Sequence, residues 1–399
     1  MSTVVMLAGC GGDDDRSPPS VALGCDDSIK TGFKPDAETT VLLVKSFKKG
    51  DPLLLSGTAT STTPTAANDL CMVKLNVGPG NPGPADAPST SSGIGIEVWL
   101  PTPANWNRRV HNLGSGGWGG GVHGSTTALA GSGAGVAGVE GAVSASTDTG
   151  HRDTAHGGSF AMNPDGTIAA AQWRDFSLRS VHELAAKSKA LATAYYGSPP
   201  EKMYFVGGSM GGRQAFASAQ SFPDDYNGIL VAFPVINWTR LITGELQPHV
   251  VIQQDLAGVA PTIEQQDLVS NAAINACDVA AGQHVGVIID PAQCKYDPTK
   301  DANVLCSGVN GSGGVVGTST SAACVNLAQA TAMNKFWYGM TSDGSVSDPA
   351  LDNGWDPVLQ GTHKWFGLVR GTSTYGAFVY PYGLGASPTG PFDIATGSV

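Results

Sequence analysis

Charged residues are scarce in this sequence of 399 residues and make up only 14% of it. The 22 basic and 33 acidic side chains give a net charge of -11, and no basic tract is present that could follow a phosphate backbone. The sequence also lacks a run of about 18 apolar residues, which a membrane-spanning helix would require. The composition therefore argues against a nucleic-acid partner and against a transmembrane segment.

Glycine, by contrast, is abundant, with 54 residues, and Ser/Thr/Asn tracts are common. This composition is more typical of exported, loop-rich proteins than of cytosolic ones. The length is too great for one ordinary compact domain and suggests two lobes, or a core with a large insertion. We therefore expect an exported protein that is periplasmic, anchored at the cell surface or extracellular.

The first 20 residues have features of an export signal followed by a tether. Leu7-Ala8-Gly9-Cys10 has the form of a lipobox, in which cleavage precedes Cys10 and Cys10 is acylated. Only nine residues precede Cys10 and none of them is basic, so the true signal is expected to begin earlier than Met1. The sequence predicts a truncated lipoprotein-type signal and tether over 1–20, with a lipid anchor at Cys10.

Seven cysteines are present, and removing Cys10 for the lipid leaves six, an even number that fits three disulfides in an oxidising compartment. Six cysteines allow 15 pairings. The pairings that are local in sequence are favoured: Cys25–Cys71, Cys277–Cys294 and Cys306–Cys324.

Strand and helix patterns alternate up to residue 236. Apolar runs predict strands, and a periodic stretch predicts a long helix ended by Gly197 and Pro199. The predicted strands are 39–46, 94–100, 109–113, 139–146, 203–206 and 228–232, and the predicted helices are 170–196 and 211–220. This alternation is typical of an α/β fold with a mostly parallel sheet over 21–236. Beyond Asn237 the alternation stops, and 237–399 is interpreted as an inserted lid.

A G-x-S-x-G motif, Gly207-Gly208-Ser209-Met210-Gly211, stands directly between a predicted strand and a predicted helix. That context is the one a nucleophile elbow requires. Ser209 is therefore the candidate nucleophile, and the N–H of Met210 is a candidate oxyanion donor. The alternative is a glycine-rich turn with an incidental serine.

The glycine-rich loop 114–121 is the expected source of the second oxyanion donor, which we assign to Gly116. An alternative is a dinucleotide fingerprint, since Gly114, Gly116 and Gly119 have its spacing and Glu140 follows about 20 residues later. That fingerprint must begin a helix, whereas here the chain continues with more glycine. His151, Asp153 and His156 have the spacing of a small metal cluster, but loop histidines near a strand end are more often structural. His182 is interpreted as a helix-face residue.

Several segments together resemble the tannase and feruloyl esterase family, which also includes hydrolases of mono(hydroxyethyl) terephthalate. They are Thr147-Asp148-Thr149-Gly150-His151, Tyr195-Tyr196-Gly197, the stretch Tyr204 to Gln214, and the stretch Cys277 to Cys294. The resemblance extends from Cys25 to about Tyr338 and implies an α/β-hydrolase core with a lid that grips the aromatic acid. Carried over by position, Ser209 is the nucleophile, and the N–H groups of Gly116 and Met210 form the oxyanion hole.

This sequence departs from the family pattern at two sites. The family usually has a cysteine directly before the serine, bridged to one beside the catalytic histidine, whereas Gly208 stands here. The family's lid also holds a calcium ion, but only Asp278 remains of its carboxylates, with Ala281 and Val285 at the other positions. Because a hard cation needs anionic oxygen ligands, we expect no metal or other cofactor.

The third departure concerns the triad, whose acid and histidine follow the serine in this fold. The histidines after Ser209 are His249, His284 and His363, and none of them lies in a segment of the expected type. We therefore expect that the C-terminal part of the core, with the acid and base, is missing from the chain. The alternative is a rewired triad that uses His363 with Asp352 or Asp356.

The sequence thus predicts a serine carboxylesterase that hydrolyses esters of hydroxybenzoic or hydroxycinnamic acids through an acyl-enzyme on Ser209. The alternative function is a surface-anchored protein that binds aromatic esters but is catalytically impaired. The expected partner is a small aromatic ester, and lid contacts decide which one.

Overall fold

The computed structural model describes residues 22–131, 133–152 and 157–372. Its first sheet is built from four strands in the order β1-β2-β3-β5, all paired antiparallel. These strands are β1 Thr39–Phe47, β2 Leu70–Val77, β3 Ile94–Pro101 and β5 Ser144–Thr147. β2 and β3 are buried along almost their whole length, so both faces of this sheet are covered.

The second sheet is parallel and has the order β4-β6-β7. Its strands are β4 Arg109–Leu113, β6 Lys202–Gly208 and β7 Gly228–Ala232. A parallel bridge between Val110 and Val143 connects it to the first sheet just before β5. The α/β class is confirmed, but the sheet is mixed, so antiparallel pairing has a larger share than the expected mostly parallel sheet.

The helices of this half pack around the two sheets. They are α1 Ser28–Gly32, α2 Gly133–Gly135, α3 Ala170–Arg174, α4 Ser180–Tyr196 and α5 Met210–Ser221, with π-helical turns at Val136–Glu140 and Asp175–Arg179. The long helix expected over 170–196 is therefore confirmed, with a π-helical turn inside it. The strand expected over 139–146 is partly wrong, because 136–140 is helical. Gly141 ends that turn at φ 72°, and the strand begins only at Ser144.

The region beyond Asn237 has a separate hydrophobic core, built mainly from helices. Its elements are α6 Trp238–Asp255, α7 Ile263–Cys277, β8 Val279–Ala280, β9 Gln283–His284, α8 Leu327–Tyr338, β10 Gly339–Thr341 and β11 His363–Phe366. Val269, Leu305 and Trp337 are buried at its centre, whereas Val98, Leu191 and Phe205 belong to the core of the first half. We call the region 237–372 the lid, although its role as a lid stays a prediction.

Three disulfides join the expected pairs, Cys25–Cys71, Cys277–Cys294 and Cys306–Cys324. The first ties the segment before α1 to β2, and the other two close loops in the lid. Cys10 and the rest of 1–20 lie outside the described residues. No helix in the described part of the chain has both the length and the apolar character needed to cross a membrane.

Candidate active site

Ser209 has a backbone conformation that residues with a side chain rarely adopt, with φ 55° and ψ -122°. β6 ends at Gly208 and α5 begins at Met210, so the serine occupies the whole turn between them. The turn is held by hydrogen bonds: the Ser209 N–H donates to Ala232 O at 3.2 Å, and its carbonyl accepts from Val235 N at 3.0 Å. The Ser209 hydroxyl does not cap α5. This strained strand–turn–helix is the geometry of a nucleophile elbow.

Close packing at this turn depends on the absence of side chains. A Cβ at Gly207 would lie 2.1 Å from the carbonyl oxygen of Gly211, and one at Gly211 would lie 2.9 Å from Ser115 O. A Cβ at Gly114 would lie 2.7 Å from the Cα of Gly211. These glycines therefore let the elbow, the start of α5 and the glycine-rich loop 114–121 contact each other through backbone atoms.

We expect Gly207→Ala and Gly208→Ala to differ strongly in their effects. The new methyl group at 207 meets backbone that cannot move without opening the elbow, so the free energy of unfolding should fall by about 2–4 kcal/mol. At 208 the nearest atom, at 2.7 Å, is Cζ of Phe233, an exposed ring that can rotate away, so a loss below about 1 kcal/mol is expected. Urea unfolding of the two variants checks this, and equal losses would contradict the packing argument.

The first N–H groups of the glycine-rich loop donate hydrogen bonds to neighbouring elements, whereas the N–H of Gly116 is available to a ligand. The Gly114 N–H donates to Val206 O at 2.9 Å, and the Ser115 N–H donates to the side chain of Gln214 at 2.9 Å. Within the described residues, the Gly116 N–H has no such acceptor. The N–H of Met210 lies in the first turn of α5, where helical N–H groups have no partner within the helix. The loop does not begin a helix, so the dinucleotide interpretation of Gly114, Gly116 and Gly119 is wrong.

A cluster of aromatic side chains lies beside the loop and the elbow, and it includes Trp118, Phe160, Phe176 and Trp238. Trp118 and Trp238 meet edge-to-face at 4.9 Å between ring centroids. Because Trp238 is the first residue of α6, this contact joins the glycine-rich loop to the lid. Met210 is fully buried against the same cluster.

Arg213, one turn after Met210, is the buried cation of this cluster. Its guanidinium lies 4.5 Å from the centroid of Phe176 and 5.7 Å from that of Trp238, and it donates to the carbonyls of Phe176 and Ser177. Burial lowers the pKa of Arg213 to about 10, so it stays charged at neutral pH. The arginine thus fastens α5 to both halves of the protein, a contact that sequence reasoning missed because it crosses three elements.

Two of the histidines singled out in the sequence, His151 and His182, have structural partners. His151 is buried, donates from Nε2 to the Trp118 carbonyl at 2.9 Å, and stacks on Phe160 with the ring centroids 3.7 Å apart. His182 pairs with Asp225 at 2.9 Å, which confirms its position on a helix face. The other two members of the suggested metal cluster, Asp153 and His156, lie outside the described residues.

His363, the histidine of the alternative triad, is held by other contacts. His363 is buried, stacks on Tyr338 at 4.3 Å and donates from Nε2 to the Tyr338 carbonyl at 3.0 Å. Asp352 accepts from the Tyr338 hydroxyl instead, and Asp356 accepts from a backbone N–H in its own loop. In the described part of the chain, no hydrogen bond connects Ser209 Oγ with an imidazole, or His363 with either aspartate.

The sequence profile of the family described as tannase and feruloyl esterase matches residues 82–372. The chain belongs to this family. Among its relatives, a probable feruloyl esterase of Arthroderma benhamiae is 31% identical over 326 residues, covering 81% of this chain and 54% of that protein. A probable feruloyl esterase B-1 of Aspergillus oryzae is 30% identical, covering 76% and 50%. The chain thus spans about half the length of these curated relatives.

Solved structures show the same fold. Feruloyl esterase B from Aspergillus oryzae superposes with a TM-score of 0.60 at 24% identity, covering 92% of this chain and 66% of that one. Tannin acyl hydrolase from Aspergillus niger gives a TM-score of 0.53 at 21% identity, covering 93% and 66%. The α/β-hydrolase-like fold expected from the elbow motif is thereby confirmed.

Asp278, which the family resemblance implies as a calcium ligand, hydrogen-bonds to protein groups in this chain. Its Oδ1 hydrogen-bonds to His284 Nδ1, and its Oδ2 accepts from the Gly286 N–H at 2.8 Å. No group of three or more acidic, histidine or cysteine side chains suited to a metal ion occurs among the described residues. Both oxygens of the Asp278 carboxylate are thus engaged within the protein, and the absence of a calcium requirement stays a prediction.

Asp148, which lies in the family segment Thr147 to His151, is fully buried behind the glycine-rich loop. Burial raises the pKa of Asp148 to about 7, and the nearby charge of Asp175 adds to this shift. The shift is opposed by the N–H groups of Gly150 and Gly95, which both donate to Oδ1, and by the charge of Arg152. The folded state therefore favours the protonated carboxyl. The contribution of the protonated Asp148 carboxyl to the free energy of unfolding is fully present below the pKa of the unfolded state, near 4, and is lost as the pH rises through about 7.

We expect Asp148→Asn to remove this pH dependence. The amide oxygen can accept both N–H bonds, and no charge has to be buried. At pH 8 the variant should unfold at a higher temperature than the parent, and its free energy of unfolding should be greater by about 1 kcal/mol or more. At pH 4 the two proteins should be equally stable. Thermal unfolding followed by circular dichroism at both pH values checks this. A variant that is destabilised equally at both would show that the carboxylate is needed in its charged form.

Proposed function

We propose that this protein is a serine carboxylesterase that hydrolyses esters of hydroxybenzoic or hydroxycinnamic acids through an acyl-enzyme on Ser209. The observation that carries the proposal is the strained Ser209 backbone at the end of β6, with its hydroxyl free of helix capping. In acyl transfer, the serine oxygen attacks the ester carbonyl, the alcohol leaves, and water then releases the acid.

The N–H groups of Gly116 and Met210 are proposed as the oxyanion hole. Both are uncommitted donors, and the loop that carries Gly116 contacts the start of α5 through Gly114 and Gly211. Donors fixed by such packing need no reorganisation when negative charge develops on the ester oxygen.

An aromatic acyl group is proposed because relatives of this chain are named as feruloyl esterases and because an aromatic cluster adjoins the site. Trp118 and Trp238 connect the glycine-rich loop to the lid at this point. Aromatic side chains favour offset or edge-to-face contact with a flat ligand, so they suit a benzoyl or cinnamoyl group.

We place the general base and its acid outside the described residues. β7 supports this, since among the described strands its outer edge has no partner, although Leu230 and the following Phe233 and Ile236 are apolar and exposed. A parallel sheet is normally covered on both faces and extended at such an edge. Export to an oxidising compartment is likewise proposed, supported by the three disulfides.

The test compares methyl ferulate, methyl gallate and methyl acetate as substrates of the full chain, with intact-mass detection of an acyl-enzyme. We expect the two aromatic esters to acylate the protein slowly, because no base contacts Ser209 among the described residues. Acylation by the acetate should be at least about tenfold less, because only the aromatic acyl groups can use the ring contacts. Binding of the aromatic esters without any covalent adduct would instead favour a catalytically impaired binding protein.

A further inference from the structure

A cavity lies inside the lid, and Ser209 does not line it. It has a volume of about 350 Å³, within the range of small-molecule sites. Trp337, Trp355 and Phe366 supply aromatic walls, and Arg370 and Asn353 supply polar groups. Neither Ser209 nor the glycine-rich loop contributes to this lid cavity, so it is separate from the proposed esterase site.

Arg370 is the unusual member of the lining. Its side chain is only 3% exposed, and its guanidinium lies 5.4 Å from the ring centroid of Trp337. Its hydrogen bonds go to neutral oxygens, from Nη1 to Asn334 Oδ1 at 2.6 Å and to Tyr296 O at 3.0 Å. Within the described residues no carboxylate forms an ion pair with it. A buried charge without an ionic partner is costly, so an anion at this point would stabilise the lid.

The Nε and Nη2 atoms on one edge of the guanidinium have few hydrogen-bond partners. Nε has no hydrogen-bond partner among the described residues, and Nη2 donates only one long bond of 3.5 Å, to Asn353 O. Asn353 and Arg370 both line the lid cavity. Nε and Nη2 together present two nearly parallel N–H groups, which match the two oxygens of a carboxylate.

Asp297 and Asp352, the two carboxylates whose charges act on Arg370, have other hydrogen-bond partners. Asp297 accepts from Asn334 and Thr299, and Asp352 accepts from the Tyr338 hydroxyl and the Gly354 N–H. Their charges act on Arg370 from a distance and favour its protonated form, while burial lowers its pKa to about 10. Arg370 is thus a cation at neutral pH, and its Nε edge is not used by either aspartate.

We propose that the lid cavity binds a small aromatic carboxylate, whose ring packs among Trp337, Trp355 and Phe366 and whose carboxylate pairs with the Nε/Nη2 edge of Arg370. The aromatic walls of the cavity favour aromatic over aliphatic acids, and Arg370 favours carboxylates over neutral aromatic compounds. This site needs no turnover at Ser209, so it stands or fails independently of the proposed esterase reaction.

The test is ¹⁹F NMR of the full chain labelled with 5-fluorotryptophan, titrated with benzoate and separately with benzamide, a neutral molecule of nearly the same shape. Single Trp→Phe variants assign the resonances. We expect benzoate to shift the resonances of Trp337 and Trp355, and to bind at least about tenfold more tightly than benzamide, because a bond to a charged group is the stronger one. The resonances of Trp118 and Trp238, beside Ser209, report separately on binding at the proposed esterase site.

Two variants and a control test the contacts. Trp355→Ala, at a half-exposed wall position, should weaken benzoate binding about fivefold or more while leaving the fold intact. Arg370→Lys should abolish the preference for benzoate over benzamide, since lysine cannot form the paired bonds. Val358→Ala, on the same segment but outside this cavity, should bind as the parent does. Equal binding of benzamide, shifts confined to Trp118 and Trp238, or unchanged affinity in Trp355→Ala would overturn the proposal.

Discussion

Replacing Ser209 by alanine is expected to reduce acylation by an activated ester at least about 10³-fold and to abolish labelling by a fluorophosphonate. The hydroxyl is the group that forms the covalent bond, and the neighbouring oxyanion donors alone stabilise charge without supplying a nucleophile. Stopped-flow release of nitrophenolate from a short nitrophenyl ester measures the acylation rate, and intact mass measures the adduct.

The control for this substitution is Ser221→Ala, at the exposed end of the same helix. It removes a serine hydroxyl from α5 without touching the elbow, so labelling should equal that of the parent. Ser209→Ala should also keep the unfolding temperature of the parent or raise it slightly, because alanine buries no polar group. If the adduct persists in Ser209→Ala and maps to another residue, the elbow is not the reactive site.

The elbow could be predicted from sequence because its chemistry is local. Gly207 and Gly211 at fixed spacing from Ser209, directly after an apolar strand and before a helix, leave few other ways for the chain to turn. The three disulfides could be predicted for a similar reason, since each favoured pair is the closest in sequence. Local constraints of this kind do not depend on how distant elements pack.

Contacts between distant elements were beyond such reasoning. The strand expected at 139–146 began too early, because the chain up to Glu140 forms a helical turn that ends at Gly141, and the strand begins only at Ser144. Arg213 reads in sequence as an ordinary helix residue, yet it lies against Phe176 and Trp238 from two other elements. The most consequential case is Lys74, which sequence reasoning left out altogether.

Lys74 and Glu97 face each other on β2 and β3 and form a salt bridge of 2.9 Å with side chains that are 0% and 1% exposed. The ammonium also donates to the carbonyls of Val122 and Ala128, while Glu97 accepts from the Ala130 N–H at 2.8 Å and from the Trp99 indole at 2.8 Å. The pair thus fastens the segment that follows the glycine-rich loop to the antiparallel sheet. Alternating hydrophobic patterns cannot reveal it, because both residues occupy positions where apolar side chains are expected.

We expect Lys74→Met to lower the free energy of unfolding by about 3–5 kcal/mol, because methionine fills the space but leaves the Glu97 carboxylate buried without a cation. Acylation of Ser209 should fall as well, since the carbonyls of Val122 and Ala128 lose the donor that positions the segment next to the oxyanion loop. Guanidinium unfolding and the nitrophenyl ester assay measure the two effects.

The double variant Lys74→Met with Glu97→Gln separates charge from packing. The Trp99 indole and the Ala130 N–H bond different oxygens of Glu97, and glutamine has one acceptor oxygen, so it can keep one of the two bonds while removing the buried charge. The double variant should therefore regain part of the stability lost in Lys74→Met. Recovery of stability without recovery of acylation would show that the two Lys74 hydrogen bonds, and not the ion pair, hold the segment in its active position. If Lys74→Met is as stable as the parent, the pair contributes no net stability and the segment is held by its other contacts, such as the bond from His123 to Ser146.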